Sequence, residues 1–147
     1  MKPLAYLVIV SMLLFSFATG QARNTIQQFS IEKALSRGEN ESKLNSSIRL
    51  FFGDQKYPAV ERELGHYSSN KKTNAFRKSD EVACQWAFLS AIVSLQKRAL
   101  QQGGNAVVNI RSNYYDNAFS SATEFECGAG NTIAGVTMSG DVVKLAD

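Results

Sequence analysis

Histidine occurs once in this chain, and cysteine and proline twice each. Each scarcity narrows the chemistry on offer. A metal site or a Ser-His-Asp triad would have to use His66, whose neighbours Gly65 and Tyr67 form no recognised motif, so it reads as an ordinary surface or packing residue. Two lone cysteines without nearby histidines make poor zinc ligands, because a closed site takes four. There is no C-x-x-C pair, no G-x-S-x-G elbow for a catalytic serine and no G-x-x-x-x-G-K-[ST] loop to cradle ATP phosphates. The Gly128–Gly135 stretch imitates a nucleotide loop, but it leads into Val136, Met138 and Val142, which fits a turn and a bulged strand better. A net charge of +3 is too mild to imply nucleic acid, which needs a concentrated basic patch. Glu61 with Glu63, and Glu124 with Glu126, read as solvated strand faces rather than paired catalytic carboxylates. No catalytic residue and no cofactor are expected.

Long apolar runs are equally scarce, and the exception is informative. Lys2 precedes an almost unbroken apolar stretch from Leu4 to Phe17, followed by small residues through Ala22. A charged start, a short apolar core and a small-residue end describe a secretory signal peptide. The run falls short of the about 20 residues a membrane helix needs. Three divisions follow: a signal peptide over 1–22, a polar segment with a short helix over 23–46, and an α+β domain over 47–147. With no second long apolar run, no transmembrane span is expected after cleavage. The expected location is the periplasm or the exterior, where an even cysteine count favours a Cys84–Cys127 disulfide.

Periodicity supplies the elements. Phe29, Ile31, Ala34 and Leu35 suit a short amphipathic helix, ended by a loop at Gly38–Glu41. Ser47–Phe52 and Ala59–Tyr67 read as strands, and Ser68–Lys78 as a polar, basic loop. Ser79 caps a long helix that starts with Asp80 and Glu81 and stops at Gly103-Gly104. Its apolar residues fall on two stripes, Val82, Trp86, Leu89, Val93 and Leu100, and Phe88, Ile92, Leu95 and Ala99. Strand patterns then recur at Ala106–Arg111, Thr123–Cys127 and Ile133–Leu145. The expected fold is one long helix on an antiparallel sheet, in the order β-β-α-β-β-β.

The run from Glu81-Val82-Ala83-Cys84-Gln85 through Gly103-Gly104-Asn105-Ala106-Val107-Val108 to Phe125-Glu126-Cys127 resembles the RcsF/YbjQ group of small bacterial domains. In these, a cysteine-bearing helix leads into a G-x-N-A-V strand. Over nearly the whole mature chain it also resembles uncharacterised exported proteins with the segments Phe51–Gln55, Asn70–Phe76 and Gly103–Ile110, which are sometimes mislabelled excinuclease ATPase subunits. The missing phosphate loop speaks against that label. The RcsF resemblance implies an interaction or stress-response role without catalysis. The chain differs from RcsF in lacking a lipid-attachment cysteine and a proline-rich linker, and in having two cysteines rather than four in the folded domain.

Two functional readings remain: a non-catalytic envelope interaction module, and a small-ligand or metal-binding module. Candidate contact residues for an envelope protein or an anionic envelope component are Lys71, Lys72 and Arg77 in the basic segment. Tyr114 and Tyr115 join them, because tyrosine is favoured at interface centres.

Overall fold

The computed structural model describes residues 22–147, so the expected signal peptide lies outside the described residues except for Ala22. A seven-stranded, curled sheet is covered on one face by one long helix. The strands are β1 (Thr25–Ser30), β2 (Arg49–Phe52), β3 (Val60–Asn74), β4 (Ala106–Tyr114), β5 (Asn117–Phe119), β6 (Glu124–Ala129) and β7 (Ile133–Leu145). The helices are α1 (Ile31–Leu35) and α2 (Asp80–Gln101), with a 3-10 helix over Gly38–Lys43.

β7 organises the sheet. One edge pairs antiparallel with β3 along nearly its whole length, from Val60↔Leu145 to Asn74↔Ile133. The other edge is shared: β6 takes Ala134 and Gly135, and β4 takes Met138 to Val143. β1 adds to β6, and β2 and β5 add to β4.

Three expectations need correction. First, the order is β-α-β-β-α-β-β-β-β rather than β-β-α-β-β-β, because Thr25–Ser30, placed before the domain, forms β1 and joins its sheet. Second, the sheet is not wholly antiparallel. β2 runs parallel to β4, and the intervening β3–α2 excursion is long enough for the crossover that a parallel pair requires. Third, Ser68–Asn74 is no loop: its backbone continues the β3–β7 ladder. Its side chains are polar because a strand with one open face needs few apolar residues.

α2 begins where the sequence implies, with the Ser79 hydroxyl accepting from the Val82 N–H. Its buried face is centred on Ala83, Ala87, Phe88, Ala91, Ile92, Leu95 and Ala99. Of the first stripe only Leu89 is buried. Val82, Trp86 and Val93 are half-buried, and Leu100 is exposed. Alanines make up much of the buried face, while Trp86 is half-buried with the Lys43 ammonium 4.1 Å from its ring centre.

Two links run side by side between α2 and β6. Cys84 and Cys127 form a disulfide with a Cα separation of 5.9 Å, and Phe88 stacks on Phe125 with ring centres 4.1 Å apart. The spacing explains the pairing. Four helical residues advance about 6 Å, and two strand residues about 6.6 Å, so Cys84–Phe88 matches Cys127–Phe125.

Buried and half-buried polar side chains fix the loops. Gln96 accepts from the Asn45 N–H and donates to the Asn45 and Ile48 carbonyls, which sets the approach to β2. Asn105 accepts from the Leu145 N–H at 2.7 Å and donates to the Leu145 carbonyl at 3.0 Å. The asparagine of the G-G-N-A-V segment thereby clamps the end of β7.

Candidate functional site

The helix-free face of the sheet ends in a hollow of about 520 Å³. Its floor is glycine: Gly128 and Gly135 oppose each other across the β6–β7 ladder. A Cβ at Gly128 would overlap the Tyr114 ring and hydroxyl, so glycine there is what allows Tyr114 to lie down on the sheet. Lys72 pairs with Gly135 from the other side and supplies a cation at the edge.

Tyr115 stands at the mouth. Tyr115 and Asp116 form the two-residue connection between β4 and β5, with φ of 50° and 60°. Positive φ at both central residues is the hairpin geometry that asparagine and glycine usually fill. A tyrosine held there is strained, and strain of this kind gathers at functional positions. Its ring is 67 % exposed, packs edge-on to Tyr114 with centres 4.5 Å apart, and its hydroxyl accepts from Asn24 at 3.2 Å. Burial and the neighbouring Tyr115 hydroxyl push the Tyr114 phenol above its ordinary value, so it is protonated at neutral pH.

The rim is tied down by Arg23. Its guanidinium makes paired 2.8 Å bonds to both Asp80 oxygens and also donates to Asn131 Oδ1 and the Gly130 carbonyl. The Arg23 hydrogen bond lowers the Asp80 carboxyl to about 2, against burial and with help from Gln27. One side chain therefore joins the segment before β1, the β6–β7 turn and the start of α2.

Beside the hollow lies a shelf of Lys72, Thr73, Asn74, Phe76, Thr132 and Ile133, joined through the Ala75 N–H to the Thr132 carbonyl. Among the described residues, the exposed large apolar side chains are Ile26, Val60, Phe76, Leu100, Tyr115 and Ile133. Four of these gather here: Tyr115 and Ile133 at the hollow, Phe76 on the shelf, and Ile26 opposite Gly128 in the β1–β6 register. Exposed apolar groups clustered in this way mark contact surfaces.

Lys72, Tyr114 and Tyr115 are thus brought to one hollow. Arg77 sits in the turn after β3 with its guanidinium 5.2 Å from the Phe76 ring centre, beside the shelf. Lys71 is parted from them. Successive strand residues face opposite ways, and Lys71 pairs with buried Val136 on the helix side. Sequence reading missed Ile133, Ile26 and the two floor glycines, and it took Phe76 only as part of the basic segment. Gly128 and Gly135 gave a weak signal as irregularities in strands, but their pairing is a long-range fact.

Among the described residues, no group of three or more His, Cys, Asp and Glu is placed to hold a metal, and no helix is long and apolar enough to cross a membrane. Fold and site together describe a small disulfide-linked α+β domain with a concave, tyrosine-walled surface. Comparison with protein-family models, with curated proteins and with solved structures gives no match.

Proposed function

We propose that this is a non-catalytic envelope protein of RcsF/YbjQ-like type that binds a protein partner through the Tyr114–Tyr115 hollow. A signal peptide over 1–22 exports it to the periplasm, where Cys84 and Cys127 are oxidised. Support for export comes from the leader pattern and from the disulfide, since such bonds persist in oxidising compartments. Asn105, in the segment that carries the resemblance, performs a structural task a shared fold would retain.

The strained, exposed Tyr115 carries the reading of the surface. The backbone geometry of the turn does not call for tyrosine, whereas an interface uses its large, rigid ring. The favoured partner presents apolar side chains to Tyr115, Ile133 and Phe76, and a carboxylate to Lys72 or Arg77.

Photo-crosslinkers placed at positions 115 and 133 in cells test this, with position 100 as the exposed control. We expect one discrete protein adduct from 115 and 133 and none from 100. Tyr115→Asn should abolish association with that protein while changing stability by about 1 kcal/mol or less, since relief of strain offsets the lost Tyr114 contact and Asn24 hydrogen bond. Adducts to glycan or lipid alone, or full binding by Tyr115→Asn, would overturn the reading.

A further inference from the structure

At the other end of the same open face, both strands that flank β7 break register beside one residue, Asp141. In β3 the break lies between Glu63 and Gly65, where Gly65 has φ of 119°. In β4 it lies between Val108 and Arg111, where Asn109 has φ of 53°. Bulges re-aim side chains, and here both aim at Asp141. His66 Nδ1 lies 2.6 Å from Asp141 Oδ1, and Asn109 Nδ2 donates to Oδ2 at 2.8 Å. Burial raises the Asp141 carboxyl, but the bonds from Asn109 and His66 and the charges of His66 and Arg111 hold it below the ordinary aspartate value. An ionised carboxylate only accepts, so His66 Nδ1 carries the proton of this contact.

These groups border a cavity of about 490 Å³. Its remaining walls include Glu63, Tyr57 and the apolar Val60, Val108 and Val143. No lysine or arginine lines it, although the chain as a whole carries +3. Tyr57 is held by an edge contact with Phe51, ring centres 5.7 Å apart, and its hydroxyl reaches Asn109 Oδ1 at 3.4 Å. Carboxylates beside an aromatic ring suit a cation, and the valines suit the methylenes behind it.

We propose that this cavity binds a small ligand carrying a primary ammonium group on an aliphatic stem. Asp141 and Glu63 supply the counter-charge, and Tyr57 and the valines cover the stem. Two bulges that converge on one residue distinguish it from a chance acid on an exposed sheet. The site does not depend on the Tyr114–Tyr115 hollow, so either assignment can fail alone.

Titration of the purified protein with 1,5-diaminopentane, followed by backbone amide NMR shifts, tests the proposal. We expect saturable shifts confined to Tyr57, Val108, Asn109, Asp141 and Val143. The uncharged 1,5-pentanediol should bind at least about tenfold more weakly. Glu63→Gln, at an exposed position, should weaken the diamine about threefold, and Asp141→Asn about tenfold. Should Asp141→Asn fail to fold, Glu63→Gln decides. Equal binding of the diol, unsaturable shifts spread over Asp54 and Asp116, or wild-type affinity in Glu63→Gln would each overturn the site.

Discussion

β7 presents two faces that follow different rules. Towards α2 it offers Ala134, Val136, Met138 and Val142, all buried, and α2 answers with alanines and with Phe88, Ile92 and Leu95. Away from α2 it offers Gly135, Thr137 and Asp141, and the neighbouring strands place Lys72, Asn70 and His66 opposite them. The covered face is continuous apolar packing. The open face is interrupted by paired glycines at one end and by two bulges further along. A side chain on the covered face is chosen mainly for volume. On the open face the same holds only where Ala106, Val108, Val143 and Leu145 pack with Phe51 and Tyr57; elsewhere charge, strain and hydrogen bonding are free to serve binding.

The largest expected effect belongs to the covered face. Joining Cys84 to Cys127 closes a separation of 43 residues, worth about 4 kcal/mol in the chain-entropy account. Replacing both cysteines by alanine should therefore lower the midpoint of urea unfolding strongly, with a cavity cost added because both positions are fully buried. A double variant as stable as wild type would show that the Phe88–Phe125 stack holds α2 to β6 unaided. Binding at the open face should persist in the fraction that stays folded.

How much was legible follows the same division. The α2 boundaries, the Ser79 cap and the cysteine pair could be read because capping, helical period and cysteine count are local or compositional signals. The stripe at Val82, Trp86, Val93 and Leu100 misplaced the centre of the buried face. Large apolar residues advertise burial, but Ala83, Ala87 and Ala91 are fully buried while Val82, Trp86 and Val93 are not. Ser68–Asn74 read as loop because its strand character comes from pairing with Ile133–Ser139, far along the chain. At the site, Tyr114-Tyr115 and Lys72 were recognisable by residue type. Their assembly with Ile133 and Phe76 was not, since it depends on the β6–β7 hairpin returning beside the end of β3.

A smaller effect is confined to acid and tests the rim that joins the two faces. Asp80 has a folded value of about 2 against an ordinary 3.8. A carboxylate lowered by folding contributes stability that is present above the unfolded value and lost as pH falls through the folded one. The melting temperature should therefore drop between pH 3.8 and about 2 as Asp80 takes up a proton. Both partners are partly exposed, so salt should reduce the contribution. Arg23→Ala should flatten the pH dependence across that window. An unchanged acid profile in Arg23→Ala would assign the acid loss to other carboxylates and leave the Arg23–Asp80 pair without energetic weight.

The smallest effect on stability gives the sharpest comparison, because it concerns two adjacent lysines. Lys71 and Lys72 carry the same charge and differ only in the face they serve. Lys71 is half-buried opposite Val136, so Lys71→Glu places a shorter, charged group against apolar neighbours and should cost about 1 kcal/mol. Lys72 is exposed beside Gly135, where its Cγ would lie 3.3 Å from a Cβ, and Lys72→Glu should change stability by about 0.5 kcal/mol or less. Binding should rank the other way. Charge reversal at Lys72 puts a carboxylate at the lip of the hollow and should weaken partner association, more at low salt than at high. Lys71→Glu should bind as wild type once corrected for the folded fraction. Chemical denaturation and salt-dependent association of the two single variants measure both rankings. Equal loss of binding from the two would mean that charge on β3 acts diffusely, and the division of labour between the faces would fail at this strand.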